Sequence, residues 1–205
     1  MSGQPNKNGE RSLEPHSLTE SSSDRLLLLE AQVRECYGRV VYSHKTHEKC
    51  ADILLSRLST IKFSQIALSS ITTAGFLGSI FGKSTFVGVA GVIVSVLLLA
   101  LNTYTKNYDL GALAQKHRQA AADLWLIREK YLSLITDLKI GSETLDNLSE
   151  RRDKIMDELH SVYSGAPSTI SSAYRRAQSA LKRSEEMTFS DSEIDLFLPC
   201  ALRKG

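Results

Sequence analysis

Phe63–Thr105 reads FSQIALSSITTAGFLGSIFGKSTFVGVAGVIVSVLLLALNTYT, and Lys83 is its one charged side chain. The runs on either side, 63–82 and 84–105, are each about twenty residues long, the length a helix rising ~1.5 Å per residue needs to cross a ~30 Å hydrocarbon layer. The alternative is a buried hairpin in a soluble bundle. A chain of 205 residues rarely hides two such charge-free runs side by side, so the stretch reads as two transmembrane helices with a tight turn at Lys83. The second run, with Val92–Leu101, is strongly apolar. The first holds Gln65 and many Ser and Thr, and its insertion alone is marginal.

Outward from the spans the sequence stays helical. Between Arg25 and Ile61 there is no proline, and Leu26, Leu29, Val33, Cys36, Val40, Ser43, Cys50, Leu54 and Ile61 mark one amphipathic seam. Beyond the second span, Leu113, His117, Ala120, Leu124, Ile127, Tyr131, Leu134 and Leu138 alternate four and three apart, the spacing of a coiled-coil pair. Gly141 interrupts that pattern, and a further helix is predicted over Ser142–Val162. No strand-like alternation of useful length occurs. The expected fold is all-α: a two-transmembrane helical hairpin continued by an antiparallel coiled-coil-like stalk.

The predicted organisation is a disordered tail at 1–23, a cytoplasmic amphipathic helix at 24–62, spans at 63–82 and 84–105, and return helices at 106–163. A linker at 164–173 around Pro167 and a basic helix with an acidic-apolar tail at 174–205 complete it. The first residues are polar and lack a secretory core segment, so the first span is expected to be kept. Ser21–Asp24 offer N-caps for the first helix. Lys45, Lys49, Arg57 and Lys62 precede the spans, and Lys106, Lys116 and Arg118 follow them. The positive-inside rule therefore places both termini in the cytoplasm and the turn outside.

A net charge of +2 argues against direct nucleic-acid binding, which calls for a strongly basic face. Three scattered cysteines make no disulfide framework, and Cys36 and Cys50 read as small buried hydrophobes. No nucleophile elbow, phosphate loop, nucleotide fingerprint or paired-metal carboxylate motif is present, so neither an enzyme nor a cofactor is expected. The interleaved acids and bases of 137–158 read as a solvated face. Arg175, Arg176, Lys182 and Arg183 form a basic cluster that suits anionic lipid, an acidic partner or plain solvent.

Two faces of the first span are informative. Ser70, Ala74, Gly78 and Gly82 recur every four residues, and with Gly88, Gly91 and Ser95 of the second span they are candidates for close helix packing. Gln65, Ser69, Thr72 and Ser79, with Phe76 as an apolar constriction, are candidates to line a pore in an oligomer, since one hairpin cannot enclose water. Packing through hydroxyls and small residues remains the competing reading of the same set. No acid or histidine lies within the spans to couple transport to an ion. In the stalk, His44, His47 and Cys50 follow at i+3, and His117 lies on the facing seam close to His47. His44 and Cys50 point apart, so no metal site is expected. A proton-sensing pair and packed seam histidines remain as readings of His47 and His117.

A helix carrying His44-Lys45 and Arg57-Leu58 leads into two tight spans, and a return helix bears Tyr108 and the Trp125–Tyr131 segment. Together these resemble the SLATT family of bacterial two-transmembrane proteins, over roughly Arg25–Leu202. The Glu193–Pro199 segment is similar to the tail of a branch encoded beside reverse transcriptases. The resemblance implies an oligomeric effector of the inner membrane in antiviral or conflict systems, with a nucleotide-generating enzyme or reverse transcriptase as partner. Activation would open a pore or disrupt the bilayer, ending in growth arrest or cell death by abortive infection. It implies no catalytic residues, and a trigger from a separate protein or a ligand at the stalk. The competing expectation is a scaffold that recruits a partner enzyme through stalk and tail.

Overall fold

The computed structural model describes residues 15–81 and 85–197, and the helical reading holds throughout them. Six helices follow one another: α1 Pro15–Phe81, α2 Thr85–Asn107, α3 Leu110–Ile140, α4 Leu145–Gly165, α5 Ser171–Arg183 and α6 Asp191–Phe197, with no strand among the described residues. The expectations for 1–14, for Gly82–Ser84 and for 198–205 fall outside the described residues, as does the side chain of Ser79.

At 67 residues, α1 runs unbroken from stalk into span, a length of about 100 Å. It begins at Pro15, so the disordered tail expected through residue 23 is too long and Ser21–Asp24 are not caps. Proline's fixed φ suits a first helical turn, and extending an existing helix backwards is cheap once a nucleus is packed.

Three layers hold the stalk. Farthest from the spans, Leu29, Val33, Cys36 and Val40 of α1 meet Leu124, Ile127, Tyr131 and Leu134 of α3, with Leu148 and Ile155 of α4 closing the third side. Nearest the spans, Ala51 and Leu54 pack on Leu110 and Ala114. Between them lie His44, His47 and His117, all buried. The seam of α3 is thus as its periodicity predicts from His117 onward, but Leu113 is half-exposed and Leu110 and Ala114 take its place. The cause is a helix break. Asp109 accepts from Ala112 N–H at 2.8 Å and restarts the helix after α2. A Cβ on Gly111 would crowd Asp109 Oδ1 at 3.3 Å and make ordinary contact with Leu58 Cδ2 of α1 at 3.6 Å.

The return from α3 to α4 depends on Gly141, whose φ of 70° lies in the left-handed region and whose N–H bonds Asp137 O. Thr144 caps α4, so that helix starts at Leu145 and not at Ser142. Gly141→Ala is expected to cost about 1 kcal/mol, lowering the thermal midpoint of the detergent-solubilised protein by a few degrees, since only glycine adopts this φ without strain.

Candidate functional site

The hairpin of α1 and α2 comes first. Half-buried positions recur at Gln65, Leu68, Thr72 and Gly75 on α1 and at Gly91, Val94, Leu98 and Leu101 on α2, which sets the contact line between them. Gln65 donates through Nε2 to Asn102 Oδ1 at 2.9 Å and to Thr105 Oγ1 at 3.2 Å, tying the spans together at their stalk end. Thr72 returns its hydroxyl to Leu68 O, and Ser70 and Ser95 likewise bond backbone carbonyls of their own helices. Hydroxyls in apolar surroundings are satisfied this way when no partner crosses the interface.

The four pore-lining candidates whose side chains are described border two different grooves. Gln65 and Ser69 open onto a groove of about 850 Å³ on one side of the hairpin, together with Lys62, Ser70, Thr73 and Asn102. Thr72 and Phe76 open onto the other side, a more apolar groove of about 390 Å³ that also holds Gly88, Gly91 and Ser95. The packing stripe divides as well: Ser70, Ala74 and Gly78 are exposed, turned away from α2. A Cβ built on Gly75, Gly78, Gly88 or Gly91 meets nothing within 4 Å, so contact between α1 and α2 does not require glycine at any of them.

The second candidate region is the histidine layer. His47 Nδ1 and His117 Nδ1 stand 2.9 Å apart, each residue 3% exposed. One nitrogen carries the proton and the other accepts it, so the rings hold opposite tautomers. Burial, then His117, then His44 lower the His47 pKa to about 4. Burial also lowers that of His117. His44 turns from the pair, placing Nδ1 2.8 Å from Ala121 O and Nε2 3.7 Å from Glu48. No group of three or more His, Cys, Asp or Glu able to hold a metal occurs among the described residues.

Beside this layer, residues given no site role from the sequence come together. Trp125 is half-exposed, with the Arg128 guanidinium 4.5 Å from its ring centroid and the His44 ring tilted against it at 5.4 Å. Lys45 is buried to 9% exposure, and its ammonium lies 2.8 Å from Glu48 and 2.7 Å from Glu186. Burial alone would lower its pKa, and the carboxylates of Glu186 and Glu48 more than offset that, raising it. The signal was a lysine in the middle of a buried seam, which survives only when paired.

The family model described as SMODS and SLOG-associating 2TM effector domain family 4 matches residues 29–193. The chain belongs to this family. The matched residues take in both helices of the hairpin, the histidine layer and the start of α6. No curated protein and no solved structure matches the chain.

As a member of this family of two-span effector domains, it is a membrane protein. The apolar part of α2 fits that assignment: its best 18-residue window has mean hydropathy 2.3, and none of the window is buried. A soluble protein would hide such a helix in its core. α1 does not reach the same hydropathy, in keeping with its Gln, Ser and Thr content.

Proposed function

We propose that this effector domain lies in the bacterial inner membrane, stalk and termini in the cytoplasm, and assembles through its spans into an oligomer that opens a water-filled path when activated. One observation carries the reading: the hairpin presents two unlike grooves, one lined by Lys62, Ser69, Thr73 and Asn102 and the other by the glycines Gly88 and Gly91, at which an added Cβ would meet nothing within 4 Å. Each glycine inside a helix costs about 1 kcal/mol relative to alanine, and close approach of another helix is a common compensation in membranes. A ring of copies uses both sides. The side with Thr72, Phe76, Gly88, Gly91 and Ser95 packs on the next copy, while Lys62, Gln65, Ser69, Thr73 and Asn102 face the path. The reading involves no catalysis and no cofactor. Its trigger is a ligand or separate partner acting on the stalk, with a nucleotide-generating enzyme or reverse transcriptase as the candidate source.

The test is dye uptake and ion leakage in bacteria producing the protein alone, and then during infection. Ser69→Leu with Asn102→Leu is expected to return uptake to the level of cells lacking the protein, while membrane insertion stays intact. Gly88→Leu is expected to abolish both uptake and crosslinked oligomers. Undiminished uptake in the first variant would remove the pore-lining assignment.

A second reading has its own observation. α6 buries none of its residues, and Leu196 and Phe197 are 75% and 82% exposed beside Glu193. An exposed acidic-apolar helix of this kind suits recruitment of a partner protein, and on that reading removing α6 abolishes partner capture while the spans tolerate leucine.

A further inference from the structure

Across the histidine layer lies α5, whose contact with α1 is built from small side chains. Ala173, Ala177 and Ala180 are its buried residues, and Ala173 covers Cys50 and Ile53. Three alanines bury little apolar area, so this docking is weak by comparison with a leucine-faced helix. Two other contacts fix it: Tyr174 stacks on Tyr42 with ring centroids 6.0 Å apart, and Glu186 reaches Lys45 at 2.7 Å and Lys49 at 3.3 Å. The chain reaches that position through Glu185, whose φ of 48° lies in the left-handed region. A glutamate held there is strained, and such strain persists only where surrounding contacts hold it.

The two lysines line one wall of an open groove of about 670 Å³ between α1 and α3, with Arg118 and Trp125 opposite. The lining carries Lys45, Lys49 and Arg118 against Glu48 and Asp52. Three cations against two carboxylates leave a positive balance, which the Glu186 carboxylate neutralises. The groove has room for more than a carboxylate, and Trp125, half-exposed and with the Arg128 guanidinium 4.5 Å from its ring centroid, contributes an aromatic edge to its wall.

We propose that this groove binds a small aryl or heteroaryl phosphate, whose oxyanion takes the place of Glu186 on Lys45 and Lys49 and whose ring lies along Trp125, and that binding lifts α5 from α1. Glu186 is then a tethered stand-in for the ligand. Such a tether acts at an effective concentration near the millimolar range, so a free ligand competes only by adding contacts a carboxylate cannot make. Arg118 and Trp125 supply them. The proposal goes beyond the permeation reading and does not rest on it, because its consequence is read on the stalk.

Cys50 is the reporter. It is 1% exposed beneath Ala173, whereas Cys36 is buried in the distal core away from α5. In the full-length protein in detergent, alkylation of each cysteine is followed by peptide mass spectrometry. Glu186→Gln is expected to alkylate at Cys50 about tenfold faster than wild type with Cys36 unchanged, because local opening of α5 then no longer has to separate the Glu186 carboxylate from the two ammonium groups. With wild type, 1-naphthyl phosphate is expected to accelerate Cys50, and inorganic pyrophosphate to do so less. Sodium chloride at matched ionic strength should leave it alone. Equal acceleration by chloride, parallel acceleration of Cys36, or a wild-type rate in Glu186→Gln would each overturn the proposal.

Discussion

Tyr131→Ala is expected to destabilise the stalk by about 3–5 kcal/mol, the largest loss from any single truncation in it, whereas Tyr131→Phe should be neutral or slightly stabilising. The ring is fully buried where α1, α3 and α4 meet, among Val33, Leu134 and Leu148. Removing it takes away apolar area and leaves a cavity that three continuous helices cannot easily collapse into. The hydroxyl is a different matter. Tyr131 Oη makes no well-formed hydrogen bond among the described residues: it lies beside the Cys36 thiol, a weak partner whose sulfur accepts from Arg39 at 3.4 Å. Burial first, and then Cys36, push the phenol well above its ordinary pKa, so it stays neutral. An unpaired buried hydroxyl costs about 1–3 kcal/mol, and phenylalanine avoids that cost at nearly the same shape. Thermal melts followed by helical circular dichroism should place the alanine variant on the order of 10 °C below wild type, and the phenylalanine variant at or above it. A large loss on Tyr131→Phe would mean that the hydroxyl has a partner.

What could be read from the sequence follows from how far each signal extends. Leu124, Ile127, Tyr131 and Leu134 repeat over several turns, and a period sustained that long has one structural solution. The error at Leu113 arises because Asp109 restarts the helix, a single-residue event that a period cannot register. The polar stripe of the first span is a different case. Gln65 and Thr72 do share a helical side, but a partner helix lies along it, and the residues to either side fall into separate grooves. Assigning them requires knowing which residues of α2 come opposite, and small residues in both spans leave that register open. Glu186 and Lys49 are 137 positions apart, with no pattern linking them. The histidine pair was visible only by counting back from the membrane on both arms, which works because α1 has no break between His47 and the span.

That pair makes stability depend on pH in a predictable direction. In the folded stalk His47 titrates near pH 4 and His117 also below its ordinary value, while in an unfolded chain both titrate near 6.5. Between those values the unfolded state binds more protons, so the contribution is fully present above about pH 6.5 and is lost as pH falls toward 4. The chemistry is stepwise. A first proton can add at an outer nitrogen and leave the Nδ1–Nδ1 hydrogen bond intact, whereas a second puts hydrogens on both facing atoms and breaks it, so the two rings titrate as a unit. No carboxylate is among the causes of either shift; the groups acting on His47 are His117 and His44. A groove lined by Tyr42, Tyr163 and Tyr174 gives water one approach to His47, which holds the loss to about 1–2 kcal/mol at pH 5. The window separates it from the acids. Glu30, Glu150, Glu186 and Glu193 have lowered pKa values, so their contributions are lost only below about pH 4.5. The thermal midpoint is therefore expected to fall by several degrees between pH 7 and pH 5, and His47→Leu with His117→Leu should flatten that slope while keeping the layer packed. A slope of wild-type size in the double variant would place the titrating group elsewhere.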